Sequence, residues 1–70
     1  MTSEADGVLA RLVGDALDRL ERGRAAFIPF TPTLTAATIV AAVERGAVER
    51  AVPVATQELP TGIGVARRRS

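Results

Sequence analysis

Over residues 4–22 apolar side chains return every three or four positions. Ala5, Val8, Leu9, Leu12, Val13, Ala16, Leu17 and Leu20 fall on one side of an α-helical repeat. This stripe restricts the fold more than any other feature of the chain. It demands a helix, and a helix with one long apolar face must lay that face on something. Ser3 stands at the capping position, with Asp6 at the third helical residue, close to a capping box. Asp15–Arg19 and Asp18–Arg22 have the acid-first spacing of stabilising pairs on a helix surface. Gly23 is the natural stop, and Arg22 in the last turn suits the negative end of the helix dipole.

The stretch "AAFIPFTPT" follows, Ala25 to Thr33, and it holds both aromatic residues of the chain and two of its four prolines. Ala25–Phe30 is short, apolar and bounded by breakers, which predicts a strand. Alternation puts Ala26, Ile28 and Phe30 on one face and Ala25, Phe27 and Pro29 on the other. Pro29 lacks an N–H and so predicts an edge position. On this pattern Phe30 packs inward with Ile28, and Phe27 faces outward.

"TPTLTAATIVAAVERG" predicts a second helix. Thr35 is the expected cap, because Leu34 before it and Ile39 after it occupy the hydrophobic-staple positions. Ala36, Ile39, Val40 and Val43 share a face. Thr31 and Thr33 fit turn chemistry, and the hydroxyls of Thr31, Thr33 and Thr35 make only a weak anion site without lysine or a glycine-rich loop. The near-duplicate "AVERGAVER" is far too short for a repeat architecture. A break at Gly46 is preferred to one helix running on towards Pro53. "ERAVPVATQE" then predicts a strand with Val52, Val54 and Thr56 on one side. "LPTG" supplies a turn and "IGVA" a returning strand.

The predicted fold class is therefore α+β, a small single domain in the order α-β-α-β-β. The central strand–helix–strand portion would form a parallel unit. The alternative is a mostly α helical hairpin with an extended tail. The domain is expected over 1–66, with 67–70 as a basic C-terminal tail and Val65–Ser70 at most peripherally ordered.

Composition narrows the function by subtraction. The chain has 70 residues and is 47% hydrophobic, too apolar for a disordered tail. It lacks Cys and His, which removes disulfides, thiolate sites and the commonest transition-metal ligand. With Lys and Tyr also missing, the usual general bases and nucleophiles are gone. The only serines, Ser3 and Ser70, stand near the termini. A carboxylate-only site needs an enclosed pocket that a chain this short rarely builds. No enzyme activity, cofactor or metal is expected.

A core this small is marginal on its own, so the chain is expected to fold against a partner or a copy of itself. The expected interface residues are Val8, Leu9, Leu12, Leu17, Leu20, Phe27, Ile28 and Phe30. The expected function is a non-catalytic protein-interaction or assembly subunit, which oligomerises or docks through the amphipathic helix and the apolar strand. The alternative is a small dimeric nucleic-acid-associated regulator using Arg67, Arg68 and Arg69. Nucleic acid is the weaker expectation, because three charges leave a small phosphate footprint and no helix has a basic face. No apolar run approaches the roughly 20 residues of a membrane span. No basic and apolar leader is read, and a cytoplasmic location follows by default.

Overall fold

The structure, a computed structural model, describes residues 4–68. Helix α1 spans Glu4–Glu21, strand β1 Ala26–Pro29, helix α2 Ala36–Arg50, strand β2 Val54–Leu59 and strand β3 Gly62–Arg67. The fold is α+β in the expected order, with two helices laid on one face of a three-stranded antiparallel sheet. The proposed cap Ser3 lies outside the described residues.

Helix α1 closes as its sequence predicts. Gly23 takes a left-handed φ of 79°, its N–H bonds to the Leu20 carbonyl at 3.0 Å, and the Arg24 N–H bonds to the Arg19 carbonyl at 2.8 Å. This is a Schellman closure, which satisfies carbonyls that the helix end would leave unpaired. The expected surface pairs Asp15–Arg19 and Asp18–Arg22 do not form. Asp18 turns instead to Arg50 at the end of α2, whose Nη1 lies 2.6 Å from Asp18 Oδ1 and 3.7 Å from Glu21 Oε2. A partner brought by the tertiary fold displaces the one on its own helix.

The chain enters α2 through a tight turn. Thr31 and Leu34 exchange backbone hydrogen bonds of 3.3 and 3.1 Å, and Thr31 Oγ1 accepts a further bond of 3.0 Å from the Leu34 N–H. Pro32 stands at the first central position, where its fixed φ suits a turn. Thr35 is the N-cap residue, but its hydroxyl lies 3.0 Å from that of Thr38 and caps no backbone N–H. The staple residues Leu34 and Ile39 are both buried.

The break expected at Gly46 is not present, and α2 continues to Arg50. The physical reason is the neighbouring helix. A Cβ on residue 46 would sit 2.9 Å from Leu17 Cδ1 and 3.2 Å from Val13 Cγ1. Gly46 lets α1 and α2 approach closely, and that contact outweighs its poor helix propensity. The helix ends at Ala51, which adopts the left-handed conformation at φ 56°. The Ala51 N–H bonds to the Val48 carbonyl at 3.2 Å and the Val52 N–H to the Ala47 carbonyl at 2.9 Å, a second Schellman closure. Ala47 and Val52 are both buried, which supplies the hydrophobic contact of that motif.

The sheet order is β1-β3-β2, with both pairings antiparallel. The parallel unit expected across β1, α2 and β2 is split. The two strands point the same way, but β3 returns between them and pairs with both. A tight turn at Pro60–Thr61 delivers β3 directly alongside β2, whereas direct β1–β2 pairing would have left it at an edge. Pro29 sits in an edge strand, as predicted.

One core joins the layers. Leu9, Val13, Ala16, Leu17 and Leu20 of α1 meet Ile39, Val43 and Ala47 of α2 and Ile28, Ile63 and Val65 of the sheet. Val65 is therefore a core residue at 1% exposure. Arg67 pairs with Val54 across the ladder, and the Arg68 N–H bonds to the Pro53 carbonyl at 3.0 Å. The peripheral tail expected from Val65 onwards is thus strand through Arg67, and the expected boundary after residue 66 falls inside that strand. Arg69 and Ser70 lie outside the described residues.

Candidate interaction surface

The expected interface residues divide into two groups. Leu9, Leu17, Leu20 and Ile28 are buried in the chain's own core. They pack inside the chain itself, where α2 and the sheet cover the α1 stripe. Leu12 and Phe30 are half-buried against the same core. Val8 and Phe27 are exposed, at 50% and 47%. The two rings thus separate by strand alternation, Phe30 inward and Phe27 outward.

Phe27 stands on the face of the sheet that no helix covers. Directly paired residues share a face, so Phe27, Gly64 and Gln57 form one row. Pro29, Gly62 and Leu59 form the next, and Ala66 and Ala55 a third. None of these side chains is charged. The centre strand presents only Gly62, Gly64 and Ala66 outward, while Ile63 and Val65 point into the core, and a hollow lined by Ala25, Ala55, Gly64 and Ala66 opens on this face.

The two large outer side chains lean over the glycines. A Cβ on residue 62 would lie 2.6 Å from Phe27 Cζ, and one on residue 64 would lie 3.4 Å from Leu59 Cδ1. The ring therefore crosses its own strand pair diagonally and roofs Gly62. Phe27 was readable from alternation in β1. The rest of the face was missed, although the Gly-x-Gly-x-Ala pattern in "GIGVA" carries the signal: small residues on one side, β-branched residues on the other.

Two further surfaces lie elsewhere on the molecule. A groove between the helices is floored by Leu9, Val13, Leu17 and Gly46 and bordered by Arg45 and Arg50. The hydrogen bond to Asp18 holds the Arg50 guanidinium in its charged form, raising its pKa above the ordinary value. The second is basic. Ala26 pairs with Val65 and Val54 with Arg67, so β1 and β2 start where β3 ends. Arg67 and Arg68 are exposed there, and Arg24 lies two residues before β1. Arg69, the third expected contact, lies outside the described residues.

Among the described residues no three acidic side chains converge as a metal site, and no polar side chain is buried. No helix among them is long and apolar enough to cross a membrane. Comparison with protein-family models, with curated proteins and with solved structures returns no match.

Proposed function

We propose that the chain is a non-catalytic protein-interaction or assembly subunit that seats a partner on the open face of its sheet, with Phe27 as the anchor. One observation carries this reading: an uncharged face of small residues bears a half-exposed aromatic ring and has no helix over it. Large rings supply most of the energy of small interfaces, and Phe27 is the only one this chain exposes. Pro29 and Pro32 stiffen the surrounding segment, which lowers the entropy lost on docking. A cytoplasmic location belongs to this reading.

The test is a pair of variants. Phe30→Ala removes a ring packed on the core and should lower stability at any concentration. Phe27→Ala should preserve far-UV circular dichroism and weaken capture of the native partner. Equal unfolding by both variants, with no effect of Phe27→Ala on capture, would return the stretch to ordinary core.

The alternative is a nucleic-acid-associated regulator, favoured by Arg67 and Arg68 meeting at one end of the sheet. Strong, salt-dependent retention on heparin, lost in an Arg67→Ala, Arg68→Ala double variant, would select it.

A further inference from the structure

The sheet has two free edges, and the sequence protects only one. Antiparallel strands alternate between pairs that exchange backbone hydrogen bonds and pairs that do not. The Phe30 N–H bonds to the Thr61 carbonyl at 2.9 Å and continues the β1–β3 register, so Ile28 and Ala26 also face β3. Phe27 and Pro29 then face outward. Pro29 has no N–H, which leaves Phe27 the one outward donor of a four-residue strand.

The same alternation assigns the other edge. Ile63 and Val65 turn their backbone groups to β1, so Gly62, Gly64 and Ala66 turn theirs to β2. The bond from the Arg68 N–H to the Pro53 carbonyl fits this phase. Leu59, Gln57 and Ala55 therefore bond inward, and Val54, Thr56 and Glu58 present their N–H and C=O groups to the outside. This six-residue edge has no internal proline, its register with β3 is unbroken by a bulge, and its one charge is Glu58. Soluble proteins rarely leave such an edge open, because it templates pairing with another strand. Beside it, Val48 of α2 is 81% exposed and lines a shallow hollow with Val54.

We propose that β2 is a homodimerisation edge, which pairs antiparallel with β2 of a second copy about a two-fold axis at Thr56. This pairing unites two three-stranded sheets into one. In this register Thr56 faces the partner's Thr56, and Val54 faces the partner's Glu58. All three outward-facing residues find hydrogen-bonding partners, and threonine pairs suit this position.

The charges select both the occupant and the register. Glu58 falls opposite the partner's Val54, whose other neighbour in its own sheet is Arg67 on the same face. The carboxylate thus points along the row towards an arginine about 10 Å away by strand spacing, within reach of two long side chains. Sliding by two residues one way takes Glu58 out of that row and spends Val54 on Pro60, which has no N–H, and sliding by four sets Glu58 against Glu58. Sliding by two the other way sets Glu58 opposite Val52, which lies outside the strand and whose N–H is already bonded to the Ala47 carbonyl. The two copies of Val48 are carried towards the axis on the helix side and add apolar cover. A foreign strand would need this charge pattern and length by coincidence, and a second copy has both. The dimer uses neither Phe27 nor the open sheet face, so it stands apart from the partner site proposed above.

The test reads amide hydrogen exchange of the unaltered chain at rising concentration, alongside sedimentation equilibrium. Protection of the Val54, Thr56 and Glu58 amides should rise with the dimer fraction, and the Phe27 amide should not follow. Thr56→Pro removes one edge donor without touching the β3 ladder, and Thr56→Lys sets like charges face to face on the axis. Each should weaken the dimer roughly tenfold or more. Phe27→Ala should leave it unchanged. A chain that stays monomeric into the millimolar range overturns the proposal. So does a dimer whose edge amides exchange at a concentration-independent rate, or one that Phe27→Ala dissociates and folded Thr56 variants do not.

Discussion

Gly62→Ala adds one methyl group where the backbone of β1 already stands. The new Cβ would lie 2.4 Å from the Ile28 carbonyl oxygen, 2.6 Å from Phe27 Cζ and 2.8 Å from Pro29 Cα. Carbon–oxygen contacts across strands normally stand at about 3.3–3.6 Å, so β1 would have to retreat by about 1 Å. Two of the three obstacles are backbone, and neither can swing aside as a side-chain end could. β1 also carries Ile28, which is 1% exposed in the core, so the displacement propagates inward. Overpacking of this kind costs about 1–3 kcal/mol and occasionally more. Losing glycine from the unfolded chain returns about 0.4–1 kcal/mol. We expect a net loss of about 2 kcal/mol, which for a domain of this size lowers Tm by about 8–16 °C. Gly64→Ala is the control: its nearest neighbour, Leu59 Cδ1, would stand at 3.4 Å, and its Tm should hold or rise slightly. Thermal unfolding followed by far-UV circular dichroism, at one fixed protein concentration, reads both. If Gly62→Ala melts within 2 °C of the parent, or Gly64→Ala falls equally far, the packing of β1 over Gly62 is not as described.

Three further outcomes follow from the same geometry. Ala51→Gly relieves a left-handed alanine, and the gain of about 1–2 kcal/mol exceeds the added unfolded-state entropy; its urea midpoint should rise. Gly46→Ala improves helix propensity by about 1 kcal/mol but drives a methyl into Leu17 and Val13, so a midpoint at or below the parent is expected and a clear rise would show that the helices are not in close contact. Leu17→Ala should cost about 2–5 kcal/mol by the same assay, and Leu12→Ala distinctly less, because only Leu17 is fully enclosed; equal losses would contradict that difference.

The two helices, the short strand with its outward Phe27, and the element order were contained in the sequence. Each depends on residues within a few positions of one another: a three-and-four repeat, a period of two, a staple around Thr35. The alternation in "AAFIPF" separates Phe27 from Phe30 with no knowledge of what lies beside them. Other features depend on residues far apart in the chain. Gly46 has the local character of a helix stop, and only the approach of Leu17 and Val13 makes it a contact point inside a helix. Asp18 has an arginine four residues on, and it takes Arg50 because the tertiary fold brings the two helices together. Val65 looks like the start of a tail until β3 inserts between β1 and β2. That insertion also decides which face of the sheet stays open and which amides point outward, because pairing is chosen by the whole chain's burial and not by any one strand's pattern.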